Sequence, residues 1–170
     1  MLSTNERQGT GNELSSDDRR KLLDVAGASI REGLRTGRPL HVDTGAYSGI
    51  LRQPRATFVT LHRGEQLRGC IGSVEPCRPL VTDVAENGFS AAFTDSRFPP
   101  LAPVEYPNLT IEISVLSPHE PITFVDEEDL LSQMRPGIDG FLLRCGSHRG
   151  VLLPAVWSSL PDPRKFLQHL

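Results

Sequence analysis

The sequence predicts an α+β fold, a largely antiparallel sheet with flanking helices, and three observations predict it. Apolar residues recur at helical spacing from Leu22 to Leu34. Ala56–Arg63 and Gln66–Gly72 read as two strands around Gly64-Glu65, a hairpin signal. Leu109–Leu116 alternates strictly, with Ile111, Ile113 and Val115 on one face and Thr110, Glu112 and Ser114 on the other. Hairpins outnumber strand–helix–strand units, which favours segregated helices and strands over a doubly wound sheet.

Met1–Leu14 is rich in Gly, Asn, Thr and Ser and reads as a flexible leader. The first helix follows: Ser16 can cap it, Asp17 and Asp18 suit its positive end, and Leu22, Leu23, Ala26, Ile30 and Leu34 form one apolar face. Gly37 is a C-terminal stop. Pro39–Pro54 carries no clear period.

In the hairpin, Arg63 opposite Gln66 places Arg68 and Cys70 on one face and turns Leu67 and Ile71 toward the core. Pro79 suits the start of a second helix, whose packing face holds Leu80, Val81, Val84, Ala85, Gly88 and Ala92. The prolines between Asp95 and Tyr106 exclude a regular helix. Asp126 caps a short helix through Met134, closed by Pro136-Gly137. Gly140–Cys145 and Gly150–Leu153 read as a second hairpin around Gly146-Ser147-His148-Arg149. Asp162-Pro163 starts a last helix carrying Phe166, Leu167 and Leu170.

The chain has 170 residues, 38% hydrophobic and 23% charged, with a net charge of -3. That length suits one domain with a real core, and the charge argues against a general nucleic-acid binder. No apolar run reaches the roughly 20 residues of a membrane helix. Three cysteines, Cys70, Cys77 and Cys145, without an apolar leader favour reduced thiols and a cytoplasmic location over a disulfide framework.

Leu67-Arg68-Gly69-Cys70-Ile71-Gly72 is the stretch that reads most like a site. Glycines permit close approach to the sulfur, and Arg68 supplies a permanent positive charge that favours thiolate. Cys70 has two readings: a reactive thiolate, or a small residue buried in a tight glycine turn. Asp95 and Arg97 could clamp a polar substrate or staple their own loop. Glu112 could act as a base, pair with Arg68 or Arg97, or simply be solvated. No histidine is placed to activate Cys70: His62 sits several residue pairs away in the hairpin, and His119 and His148 lie in loops. The cysteines lack CxxC spacing, and no HxxxH, HExxH or glycine-rich phosphate loop occurs, so no metal or nucleotide cofactor is expected. Trp157, beside Leu152, Leu153 and Val156, reads as core.

The chain resembles the AMMECR domain family. The likeness rests on Leu67–Gly72, on Asp95-Ser96-Arg97-Phe98-Pro99-Pro100-Leu101, on Glu112–Ser117 and on Gly150-Val151-Leu152-Leu153-Pro154, in that order along the chain. It implies one domain over residues 15–170, built of two tightly associated lobes with a cleft that includes the cysteine motif. The residues weighed above supply the candidates for that cleft: Cys70 and Glu112 as catalytic groups and Arg68, Gly69, Gly72, Asp95 and Arg97 as substrate contacts. The resemblance also implies partners, since many prokaryotic members are encoded beside, or fused to, Memo-type and radical S-adenosylmethionine proteins. The chain departs from the family at Ala155-Val156-Trp157, where Gln-Val is usual, and the family usually continues past the last helix. Three functions follow: an enzyme component with a reactive Cys70, a binding module in which Cys70 is structural, and a scaffold recruiting through its apolar C-terminal face.

Overall fold

A computed structural model describes residues 14–170. The expected leader lies outside them except for Leu14, which is buried against the core instead of belonging to a free leader. Contacts divide the chain into two compact units, one ending at Pro118 and one spanning His119–Leu170.

The first unit opens with helix α1, Ser16–Thr36. Its cap is Ser15 rather than Ser16: the Ser15 hydroxyl accepts the Asp18 N–H, and the Asp18 carboxylate accepts the Ser15 N–H. This reciprocal pair satisfies two donors that a helix start leaves free. Gly37, at φ 73°, ends the helix. The segment without a clear period holds two 3₁₀ turns, Thr44–Ala46 and Gly49–Arg52.

Strands β1 (Thr57–Arg63), β2 (Gln66–Gly72) and β3 (Leu109–Val115) form one antiparallel sheet in the order β2-β1-β3. Helix α2, Leu80–Phe93, packs with α1 and the sheet. Val59, Leu61 and Ile113 lie fully buried in one cluster with Leu22, Ile30, Leu80 and Val84 from the helices. The alternation of β1 explains this: Thr57, Val59 and Leu61 are buried on the side of the helices, and Phe58, Thr60 and His62 face the other way, half-buried.

A buried polar network locks α2 to the sheet. Asp83, fully buried in the first turn of α2, accepts the Thr57 N–H at 3.0 Å and the Thr57 hydroxyl at 2.7 Å. Asn87, one turn on, donates to Asp83 at 2.9 Å and to the Thr57 carbonyl at 3.1 Å. Arg78 closes the other carboxylate oxygen at 2.8 Å. A buried charge is tolerable only when so fully partnered.

The second unit holds α3 (Glu127–Gln133), the hairpin β4 (Phe141–Cys145) and β5 (His148–Leu152), and α4 (Pro163–Gln168). His148 and Arg149 belong to β5, so the turn is shorter than expected, and Cys145 faces His148 in the register. Asp126 and Asp162 cap the two helices as predicted. Trp157 is core, as its neighbours suggested: it stacks on Phe166 with centroids 3.8 Å apart, and its indole N–H donates to the Asp139 carbonyl at 2.7 Å. Phe166 is fully buried and also meets Phe141 edge-on.

A methyl group at position 69 would lie 2.1 Å from the Ala91 carbonyl oxygen of α2. Gly69→Ala is therefore expected to cost about 1–3 kcal/mol or more by overpacking, read as a lower urea midpoint by circular dichroism. Phe166→Ala is expected to cost about 3–5 kcal/mol in the second unit, read as a lower melting temperature.

Candidate functional site

The hairpin register is interrupted where it matters. Arg63 faces Gln66 and His62 faces Leu67, but Leu61 faces Gly69, so Arg68 is an extra residue in β2. This β-bulge resets the alternation. Cys70 falls opposite Thr60, on the half-buried face away from the helices, and Ile71 falls opposite the fully buried Val59. Leu67, expected in the core, falls on the outer side with His62 and is 41% exposed.

Cys70 lies on the outer edge of the sheet, where its main-chain N–H and C=O have no strand to pair with. Side chains replace the strand. The Cys70 N–H donates to Asp95 Oδ2 at 2.9 Å, and Arg97 Nη2 donates to the Cys70 carbonyl at 3.1 Å. Asp95 and Arg97 are themselves joined by Nη2–Oδ2 at 2.7 Å and Nε–Oδ1 at 2.9 Å. Asp95 is buried, and its carboxyl is held well below the usual carboxylate range, first by the Arg97 guanidinium and then, against the cost of burial, by the N–H groups of Cys70 and Arg97.

Arg68 does not serve the thiol. Its Nε and Nη2 donate to Glu105 at 2.8 and 3.0 Å, a bidentate pair, and Nη2 also reaches the Pro99 carbonyl at 3.0 Å. Glu105 in turn accepts the Ala102 N–H at 2.9 Å. The Glu105 carboxylate thus offsets the Arg68 charge at close range. The cation acting on the Cys70 side chain is Arg97, whose own pKa is raised first by Asp95 and in smaller part by Cys70. The Cys70 sulfur meets the Thr60 hydroxyl at 3.2 Å.

The close approaches expected of a ligand at the two glycines are made by the chain itself. Gly69 sits under the Ala91 carbonyl, and a methyl at Gly72 would lie 2.3 Å from the Thr57 carbonyl and 2.4 Å from the Phe58 ring. The structure thus brings Arg68, Gly69, Cys70, Gly72, Asp95 and Arg97 into one cluster. Glu112 stands apart. It shares the row Cys70–Thr60–Glu112 across the sheet, but a whole strand separates it from the thiol. It pairs with neither arginine, because Arg68 holds Glu105 and Arg97 holds Asp95. The register also corrects the placing of His62, which lies on the face of Cys70, next to Thr60 along β1.

Glu105 and the Thr57–Asp83–Asn87–Arg78 network escaped the sequence reading. Glu105 carries no local signal. Asp83 and Asn87 do: they interrupt the apolar face of α2 one turn apart, the mark of a polar contact made inside. Among the described residues no group of His, Cys, Asp and Glu is arranged to hold a metal ion. No helix among them is long and apolar enough to cross a membrane. All three cysteines are free.

The Arg68–Glu105 pair carries a pH signature. Arg68 hydrogen bonds, helped by the Ala102 N–H, lower the Glu105 pKa from 4.5 to about 2. A carboxyl lowered on folding stabilises the fold above its unfolded pKa, and the gain is lost as pH falls through the folded value. Stability measured by urea titration is expected to drop between about pH 4.5 and pH 2. Glu105→Gln is expected to cost about 3 kcal/mol at neutral pH by stranding Arg68, and the gap to the unmodified chain should narrow toward pH 2.

Comparison with known proteins places this geometry in a family. The AMMECR1 family model matches residues 23–170. A protein of Methanothermobacter thermautotrophicus is 41% identical over 143 residues, covering 84% of this chain and 74% of the relative. A protein of Methanocaldococcus jannaschii is 34% identical, covering 84% of this chain and 71% of the relative. The crystal structure of the uncharacterized protein PH0010 from Pyrococcus horikoshii superposes with a TM-score of 0.75 at 36% identity, covering 86% of this chain and 74% of that one. The structure shares its α+β fold with that protein, and the chain belongs to the AMMECR1 family.

Proposed function

We propose that this domain is a non-catalytic binding module for a ligand or a protein partner, with Cys70 as a structural residue. The observation that carries the reading is the use of the Asp95–Arg97 ion pair, which is spent on the main-chain N–H and C=O of Cys70. Arg68 spends its Nε and Nη2 on Glu105, while its buried Nη1 has no hydrogen-bond partner among the described residues. Among the described residues no base stands in hydrogen-bond contact with the sulfur, which meets the Thr60 hydroxyl. The sheet face around it offers Thr60, His62, Thr110 and Glu112, which suit contact better than nucleophilic attack. A Memo-type protein, the kind of protein that many family members are encoded beside, is the partner to test first.

A second reading has its own support. Cys70 faces away from the helices with the Arg97 guanidinium acting on its side chain. In that reading Cys70 is a reactive thiolate, Glu112 a distant base, and the domain one component of a modification system with Memo-type and radical S-adenosylmethionine proteins.

The rate of Cys70 alkylation against pH, measured with Cys77→Ser and Cys145→Ser in place, separates the two. The binding reading expects Cys70 to react no faster than a thiol in the urea-unfolded chain at any pH, and capture of the Memo-type protein by Cys70→Ser as by the unmodified chain. A thiolate already formed at neutral pH, with capture lost in Cys70→Ser, overturns it.

A further inference from the structure

Arg68 is only 8% exposed, and its guanidinium holds its N–H donors in a fixed planar fork. Nε and one Nη2 proton hold Glu105 from one side. The other Nη2 proton lies along the outer end of the guanidinium and reaches the Pro99 carbonyl at 3.0 Å. Its neighbour on that same end belongs to Nη1. Nη1 is buried and has no hydrogen-bond partner among the described residues. A buried charged donor left unpaired is costly, so one that persists calls for a reason.

The outer end of this guanidinium is therefore half filled. Two parallel N–H groups there match the two oxygens of a carboxylate, whereas the Pro99 carbonyl brings one oxygen and serves one of them. Local charge points the same way. Arg68 and Arg63 face a single carboxylate, Glu105, at 2.8 and 3.7 Å. The neighbouring Asp95–Arg97 pair is balanced. One positive charge is left over, which a carboxylate cancels and a phosphate dianion would overshoot. We propose that Arg68 binds the carboxylate of a small acid, which takes the outer end of the guanidinium in place of the Pro99 carbonyl. The inference rests on the binding reading of the domain and names its class of ligand.

Phe98 and Pro99 cover this site. The Phe98 ring contacts two guanidiniums, with Cζ of Arg68 at 5.9 Å and Cζ of Arg97 at 5.5 Å from its centroid. Phe98 is half-buried, while Ser96, Arg97, Pro99 and Pro100 around it are exposed. The loop is fastened at its two ends, by Asp95 to the Cys70 N–H and by the Leu101 N–H to the Ala92 carbonyl. Between those anchors the bond from Arg68 to Pro99 ties its middle to β2, and this is the bond that the carboxylate replaces. An opening made by one side chain and one carbonyl admits a small acid and excludes a folded partner.

Acetate is the probe, titrated into the isotope-labelled full chain at neutral pH against chloride of equal ionic strength. The Arg68 Nε–H and the Phe98 and Leu101 amides are followed by NMR. The expected result is a shift that saturates with acetate and not with chloride, with inorganic phosphate binding more weakly than acetate. Phe98→Ala removes the cover and is expected to strengthen acetate binding about fivefold, because less free energy goes into opening the loop; a misfolded variant would not give that gain. Arg68→Lys keeps the charge but not the fork, and is expected to lose the saturable response. Equal shifts in acetate and chloride, phosphate binding more tightly than acetate, or an acetate affinity unchanged in both variants overturns the proposal. Capture of a Memo-type protein is read separately, so a domain that captures it and ignores acetate loses the carboxylate site and keeps the binding reading.

Discussion

Cys70 sits in an edge strand, and its main-chain N–H and C=O would have only water if the loop after α2 did not fold back on them. Asp95 supplies the acceptor and Arg97 the donor, and each also holds the other. The pair acts as a one-residue substitute for a strand. It ties the Asp95–Leu101 loop to the sheet, and the Leu101 N–H bond to the Ala92 carbonyl at 2.8 Å then fixes that loop against the end of α2. Helix, loop and strand edge are thereby held together by groups that are strong because they are charged.

The bulge at Arg68 is the second element of this arrangement. Without an extra residue, Cys70 would face Val59 and the helices, and Asp95 would find a carbonyl or a side chain where it now finds an N–H. The bulge also frees Arg68 to leave the ladder and reach Glu105, drawing the 3₁₀ turn at Pro103–Asn108 toward β2. Gly69, next along, must then pass under the Ala91 carbonyl of α2, a contact no side chain permits. Arg68, Gly69, Cys70 and Gly72 each answer a packing or hydrogen-bonding demand of the same few ångströms.

Local features of the sequence were legible. The helix from Ser16, the hairpin with Arg63 facing Gln66, the alternating strand at Leu109 and the caps at Asp126 and Asp162 follow from periodicity and turn chemistry that neighbouring residues supply. The cluster around Cys70 was legible only as a list. That Asp95 and Arg97 belong with Cys70 came from resemblance, because no local rule links residues some 25 positions apart. The bulge was not legible. A bulge is set by how two strands fit a helix laid over them, and Leu67 and His62 were misplaced for that reason. Glu105 was invisible because its partner is chosen by the fold of a proline-rich turn. The role of Asp83 was written in the sequence, as a carboxylate on an apolar face, but its partner Thr57 was not.

The stacking of Trp157 on Phe166 has a practical consequence. Trp157 is the single tryptophan, and it lies in the second unit, whereas both tyrosines, Tyr47 and Tyr106, lie in the first. Indole emission therefore reports on the unit after Pro118 alone, and tyrosine absorbance reports on the unit before it. The chain carries a separate optical probe in each half, so a single unlabelled sample reveals whether the halves unfold as one cooperative block or in sequence.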